Sequence, residues 1–233
     1  MVVVITTLTL RREYRKQLVY WQERLSRIAD ANQRLLNNWV TERSDDAQLL
    51  AAFPFVEIAA RSEPDSHPIP PPLWQQRLHN ELNSVAQTYS YAGVYVLNRS
   101  GQVLAQSDAS PPQSTRVVKE IIRNAQAGSV ARAVTIPSAE DRADYPQVAF
   151  VAPIRQGQQL SAKVEVANPI GYVVLLTHPE AVGSLLFPFR GSTRTAETVL
   201  LALQSGKPVF ISPLRHWKPG SSMPVLPKPA PDE

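Results

Sequence analysis

A heptad pattern of large apolar residues lies near the N-terminus of the chain. Its positions are spaced alternately four and three residues apart, and only one of them is polar. These residues, called the heptad seam below, are Tyr14, Leu18, Trp21, Leu25, Ile28, Asn32, Leu35 and Trp39. Because this spacing places side chains on one face of a helix, the sequence predicts a long helix over residues 11–60, interrupted near Pro54.

Two arrangements explain the heptad seam. In the first, two copies of the chain form a coiled-coil homodimer, and Asn32 fixes the register as a buried asparagine does in such dimers. In the second, the helix packs its apolar face on its own domain, which is the commoner use of an amphipathic helix. The sequence leaves both arrangements open.

Ten uncharged residues, MVVVITTLTL, precede the basic residues Arg11, Arg12, Arg15 and Lys16. A helix of that length rises only about 15 Å, whereas a bilayer core of about 30 Å needs about 20 residues. The basic residues follow the apolar run, which is the reverse of a signal peptide. Alone, the run fits a helix end, an edge strand or part of a membrane span. The long helix directly downstream favours the last, so residues 1–10 are predicted to be the end of a truncated transmembrane helix.

Beyond a proline-rich loop, RSEPDSHPIPPP, the period of the apolar pattern changes from that of a helix to that of strands. A second helix carries Trp74, Leu78, Leu82, Val85 and Tyr89. Strands are predicted at 92–98, 102–108, 130–136, 147–154 and 170–177, with a short helix at 115–128 and helical turns at 178–187. Successive strands with one interposed helix indicate an α+β fold, in which helices cover one side or end of an antiparallel sheet.

A second apolar hairpin, with strands at 196–204 and 208–215, follows the first unit. A two-stranded unit is marginally stable alone, so it docks on the first domain or begins a second one. The predicted organisation is a truncated transmembrane helix end at 1–10, a signalling helix at 11–60, a sheet module at 61–189 and the start of an incomplete second module at 190–233.

Composition excludes several classes of protein. The 43% hydrophobic and 19% charged residues permit a real core. The net charge is +4, but the basic residues after residue 16 are scattered along the chain, so no nucleic-acid partner is predicted. There is no cysteine, which excludes disulfides, thiolate metal sites and cysteine nucleophiles. The histidines lack metal-ligand spacing, and no acid, base and nucleophile group together. We therefore expect no metal, no cofactor and no catalysis in this chain.

Five segments together resemble the double-Cache extracytoplasmic sensor domains of bacterial signal transducers. The similarity covers about residues 14 to 216. It rests on ANQRLLNNWVTERSDDAQLLAAFPFV in the long helix, on the strand pairs YAGVYVLNRSGQVLAQSD and QVAFVAPI with IGYVVLLTHPE, and above all on STRTAETVLLALQSGKPVFISPLRH.

The resemblance implies a PAS-like sheet of five antiparallel strands with flanking helices, in tandem copies beside the long helix. It also implies a ligand-sensing domain in the periplasm or outside the cell, anchored in the bacterial inner membrane and linked to a cytoplasmic histidine kinase, diguanylate cyclase or chemoreceptor output. The expected partners are a small molecule of unknown identity and the membrane. A ligand-free structural or dimerisation module of a membrane protein is the alternative.

Candidate ligand contacts come from the sheet face that the long helix leaves uncovered. They are Tyr95, Asp108, Arg132, Tyr145 and Phe150. An arginine within a strand and near tyrosines could hold a carboxylate through two hydrogen bonds. Arg132 also fits a solvent-facing position on an edge strand, and Tyr95 and Phe150 also fit the hydrophobic core.

Overall fold

A computed structural model of the chain describes residues 2–61, 71–108, 131–135, 147–156, 168–185, 198–204 and 207–210. The helices are α1 (Val2–Ala51), α2 (Pro54–Arg61), α3 (Pro71–Thr88) and α4 (Pro179–Leu185). The strands are β1 (Tyr91–Asn98), β2 (Val103–Gln106), β3 (Ala131–Thr135), β4 (Gln147–Ile154), β5 (Gly171–Thr177), β6 (Leu201–Gln204) and β7 (Lys207–Phe210). The predicted helix at 115–128 lies outside the described residues.

The predicted long helix is present as α1, and it begins at Val2, before the predicted start at residue 11. Because residues 2–10 are helical, they do not form the edge strand that the sequence left possible. Pro54 is the first residue of α2, a position where its fixed φ and missing N–H are compatible with a helix, so the interruption falls just before it. No helix within the described ranges contains a stretch long and apolar enough to cross a membrane.

The main sheet has five antiparallel strands in the order β2-β1-β5-β4-β3. The hairpin of β1 and β2 turns at Gly101, which has a φ of 88°, and the Asn98 side chain accepts hydrogen bonds from the N–H groups of Ser100 and Gln102. Strand β5 lies between β1 and β4, at the centre of the sheet. Its neighbour β1 is far from it in sequence. The predicted α+β class, with a long N-terminal helix and an antiparallel sheet, is confirmed.

Both faces of the central strands are buried. The helix-side cluster joins Val94, Val96, Phe150 and Leu175 of the sheet to Leu50 of α1, and α3 adds Leu78 and Leu82. The far-face cluster, on the opposite side of the same strands, consists of Ala92, Tyr95, Leu97, Ala149, Val151, Tyr172, Val174 and Leu176. Burial on both faces explains why β1 and β5 are almost continuously apolar in sequence.

Gly171 begins β5 where the sheet meets α2. A Cβ atom at this position would lie 2.5 Å from the carbonyl oxygen of Leu97 and 3.0 Å from the Cβ of Ala60. The absence of a side chain therefore allows α2 to approach the sheet closely.

The strands β6 and β7 form a separate two-stranded antiparallel sheet. β6 lies within the strand that the sequence predicted at 196–204, although residues 198–200 are not part of it. β7 overlaps the strand predicted at 208–215 and begins one residue before it, at Lys207. That this hairpin begins a second module stays a prediction.

Candidate functional site

The far-face cluster is the part of the sheet where the sequence predicted a ligand site. It is lined by side chains of β1, β4 and β5, and among the described residues no helix contributes to it. Each of its members is at most 5% exposed. Tyr95 belongs to this cluster, whereas its neighbours Val94 and Val96 face α1, in agreement with the alternation that the sequence indicated.

Tyr172 is the second aromatic residue of the far-face cluster. It is fully buried, and its hydroxyl has no hydrogen-bond partner within the described part of the chain. In the sheet it pairs with Leu97 while Tyr95 pairs with Val174, so the two tyrosines are diagonal neighbours on adjacent strands. A buried hydroxyl without a partner costs about 1–3 kcal/mol. Tyr172 can therefore give one hydrogen bond to a polar atom that enters an otherwise apolar surface.

Phe150 lies on the other face of the sheet from Tyr95. It is fully buried in the helix-side cluster, where its ring meets Trp39 of α1. The predicted ligand contact at Phe150 therefore does not lie on the uncovered face with Tyr95, whereas the alternative that Phe150 belongs to the hydrophobic core agrees with this position. The reason is that β4 is apolar on both faces, so its sequence does not indicate which face lies under the helix.

Asp108 follows β2 and bonds to α3. Its carboxylate accepts a hydrogen bond of 2.8 Å from Asn83 Nδ2 and lies 2.9 Å from His79 Nε2, while its N–H donates to Asn83 Oδ1 over 2.7 Å. His79 Nδ1 lies 3.0 Å from the carbonyl oxygen of Gln106. Since α3 packs on the helix side of the sheet, Asp108 lies away from Tyr95. The prediction that Asp108 contacts a ligand on the same face as Tyr95 is therefore corrected.

Arg132 and Tyr145 are the two remaining predicted contacts. The backbone of Arg132 pairs with that of Phe150, and β3 is an edge strand of the sheet that the described strands form. The side chain of Arg132 and the whole of Tyr145 lie outside the described residues, so their roles stay predictions. Within the described ranges, no three His, Asp or Glu side chains are grouped to hold a metal ion.

The heptad seam divides into two parts with different environments. Leu18, Trp21, Leu25 and Leu35 are exposed, and Ile28 is half-buried. Trp39 packs against the sheet. Asn32 is buried within the chain, and neither its amide nitrogen nor its oxygen has a hydrogen-bond partner among the described residues. The C-terminal end of the heptad seam therefore packs on the chain's own domain, while the N-terminal end is exposed and available to a partner.

A polar cluster joins α1 to the first residue of β1. The Tyr91 hydroxyl donates to Asp46 Oδ2 over 2.5 Å and accepts from Arg43 Nη1 over 3.1 Å, and the same two atoms of Arg43 and Asp46 are 3.1 Å apart. The Arg43 guanidinium also lies 5.4 Å from the centre of the Tyr91 ring. Burial, followed by the hydrogen bond to Asp46, raises the pKa of Tyr91 above its ordinary range, and Arg43 opposes the shift. We call Arg43, Asp46 and Tyr91 the α1–β1 joint.

Sequence reasoning missed Tyr172 and the α1–β1 joint. Tyr172 stands in an almost continuous apolar strand, so its facing depends on the pairing with β1. In the joint, Tyr91 is 45 residues from Asp46 and 48 residues from Arg43, and no local pattern connects it to them.

No protein-family model matches the sequence, and no curated protein sequence matches it. The structure, by contrast, is similar to solved sensor domains. The ligand-binding domain of the Campylobacter jejuni chemoreceptor Tlp3, in complex with L-valine, matches with a TM-score of 0.50 and 11% identity, over 79% of this chain and 67% of that one.

Two further solved domains are similar to the chain. The sensor domain of the V. cholerae histidine kinase DctB matches with a TM-score of 0.49 and 15% identity, over 75% of this chain and 60% of that one. The E. coli DcuS sensor domain matches with a TM-score of 0.43 and 12% identity, over 67% of this chain and 98% of that one. The chain thus spans about 60% of the length of the DctB domain. At 11% identity the Tlp3 match establishes the fold alone, which this chain shares with that ligand-binding domain.

Proposed function

We propose that this chain is the ligand-sensing input domain of a bacterial membrane signal transducer, located outside the cytoplasm. A small molecule binds at the far-face cluster, and α1 passes the resulting conformational change to a cytoplasmic output domain, a histidine kinase or diguanylate cyclase. In this proposal residues 1–10 belong to the membrane anchor. The Cache-type fold supports the proposal by analogy, because a fold by itself does not determine function.

The hydroxyl of Tyr172, which has no hydrogen-bond partner among the described residues, is the observation that carries the proposal. A fully buried phenol without a hydrogen-bond partner is unfavourable in the free protein, and a ligand with one polar atom at this position would remove the penalty. The surrounding far-face cluster supplies apolar contacts, as small-molecule sites commonly do. Tyr172 also lies on the central strand, whose opposite face packs within the cluster that includes α1.

A thermal-shift screen of the chain against small metabolites tests the proposal. The panel includes carboxylates, amines, purines and amino acids, with L-valine among them because the Tlp3 domain of the same fold is in complex with it. A ligand that binds only the folded state raises the melting temperature, and the stabilisation grows with the logarithm of the ligand concentration above Kd. We expect at least one such compound.

The substitution Tyr172→Phe then tests the site. It removes only the hydroxyl, so we expect the affinity for that compound to fall about 5–10-fold, as for the loss of one hydrogen bond. Tyr14→Phe, a matched change at a residue that is 65% exposed on α1, should leave the affinity unchanged. Silence across the whole panel would refute ligand sensing, whereas an unchanged affinity in Tyr172→Phe would refute the site alone.

A ligand-free dimerisation module is the second candidate function. It is favoured by the exposed N-terminal part of the heptad seam, where Leu18 is 44%, Trp21 43% and Leu25 59% exposed. Two copies could bury these side chains in a coiled coil. Sedimentation of the chain at several concentrations, beside the variant Leu18→Glu/Leu25→Glu, separates the candidates. A dimer that the variant abolishes, without any ligand response, would favour the second candidate.

A further inference from the structure

The contacts through which α1 packs on the sheet are mostly apolar. Ala47, Leu50 and Ala51 are members of the helix-side cluster, and Trp39 packs against it. Apolar contacts have no hydrogen-bond direction, so they define the rotational setting of a packed helix less sharply than polar contacts do. The α1–β1 joint is different, because its hydrogen bonds have defined directions and two of its groups carry charge.

Tyr91 is itself held in place by its own strand. The residue before it, Ser90, has a φ of 55°, a left-handed conformation that is uncommon for residues other than glycine. The pairing of β1 with β5 is also irregular between Tyr91 and Gly93, as in a β-bulge. Irregularities of this kind re-aim a side chain at the end of a strand, and here the phenol that they aim is 3% exposed and directed at α1.

Arg43 and Asp46 are one helical turn apart on α1, and both are partly shielded from water, with side-chain exposures of 20% and 26%. The Tyr91 hydroxyl uses its hydrogen to bond one of them and a lone pair to bond the other. A rotation of α1 moves these two residues around the helix axis, so it cannot preserve both bonds.

We infer that Tyr91 is a positioning residue, which fixes the rotational setting of α1 on the sheet by bonding Asp46 and Arg43 at once. The inference rests on the proposed function, in which α1 carries the signal. Ligand-induced changes in the sheet would reach α1 through this residue, and release of the joint would allow a second setting of the helix.

Distance measurements between two spin labels test this inference directly. The chain has no cysteine, so Arg34→Cys on α1 and Arg99→Cys in the β1–β2 turn, both exposed, accept one label each. The wild-type background should give a single narrow distance distribution. Tyr91→Phe keeps the ring and removes both hydrogen bonds, and it should broaden that distribution or add a second maximum.

Two more variants complete the experiment. Tyr89→Phe is the matched control, because Tyr89 is 50% exposed and its ring lies 6.4 Å from that of Tyr91. Asp46→Ala removes the acceptor from the helix and should reproduce the effect of Tyr91→Phe, with no further change in the double variant. It also carries the test if Tyr91→Phe does not fold.

A lower melting temperature with unchanged distances in both joint variants would overturn the inference, since the joint would then only stabilise the fold. Equal broadening in Tyr89→Phe would overturn it as well. The distances are measured without ligand, so a failed ligand screen would refute the proposed function and leave this result standing.

Discussion

The indole of Trp39 meets the ring of Phe150 edge to face, with the ring centroids 5.4 Å apart and the planes inclined by 75°. This contact ties the last residue of the heptad seam to the centre of β4. It also shows that one periodic pattern serves two environments, because Trp21 in the same pattern is 43% exposed.

A double-mutant cycle should detect the contact between these two rings. We expect Trp39→Leu and Phe150→Leu to be non-additive by about 1 kcal/mol, the usual coupling of an aromatic pair. The free energies of unfolding would come from urea denaturation. The control cycle replaces Trp39→Leu with Trp21→Leu, which lies about 27 Å earlier along the helix and should be additive. Coupling of the same size in both cycles would contradict the assignment.

Gly171→Ala should destabilise the chain by about 2 kcal/mol, as overpacking does elsewhere. The added methyl would lie 2.5 Å from the Leu97 carbonyl oxygen, which cannot retreat without disturbing the pairing of β1 with β5. Adding Ala60→Gly removes only the contact with α2, so we expect it to restore little of the loss. Urea midpoints measure both variants, and a neutral Gly171→Ala would mean that the strands are not this close.

Asn32→Leu should stabilise the folded chain by about 1 kcal/mol. Asn32 is 8% exposed, and its amide has no hydrogen-bond partner in the described part of the chain, so a similar apolar side chain avoids the desolvation penalty. Asn38→Leu, at an exposed position of the same helix, should change the stability little. Calorimetry measures both. A loss of stability, or a change of oligomeric state in Asn32→Leu, would instead point to a role of the amide between two copies.

The stability of the chain should fall above about pH 10 in a manner that depends on Tyr91. Burial and the hydrogen bond to Asp46 raise the pKa of Tyr91 above its ordinary value of 10.0, so the folded state holds this proton more tightly than the unfolded state. The stabilisation is complete below the ordinary value, and it is lost as the pH rises towards the higher folded value.

Urea denaturation at several alkaline pH values, with Tyr91→Phe beside the wild type, measures this effect. The fall in stability should be shallower in Tyr91→Phe, because that variant has lost the linked group. Tyrosinate absorbance should show in parallel that one tyrosine of the wild type resists ionisation until the chain unfolds. Identical slopes for the two proteins would contradict the prediction.

Local periodicity predicts most of the helices and strands in the described part of this fold. Strand β4 occupies residues 147–154 as predicted, and the α+β class follows from the order of strands and helices. The position of β5 between β1 and β4 could not be predicted, because it depends on pairing between segments far apart in sequence.

The candidate site was harder to predict for a related reason. Alternation separates Tyr95 from Val94 within one strand, but it does not relate the faces of two strands that are both apolar throughout. Only the register of strand pairing decides which residues of two strands share a face, and a shift of one residue moves every side chain of a strand to the opposite face. For this reason the sequence alone does not show that Tyr172 shares a face with Tyr95, or that Phe150 lies on the opposite one.

The position of the joint near the C-terminal end of α1 makes the helix a lever with a very short inner arm. From Asp46 back to Val2 there are 44 residues, which at about 1.5 Å per residue gives an outer arm of about 65 Å. A tilt of about 2° at the joint would therefore displace the far end of the helix by about 2 Å. Geometry alone would amplify a small event at the sheet.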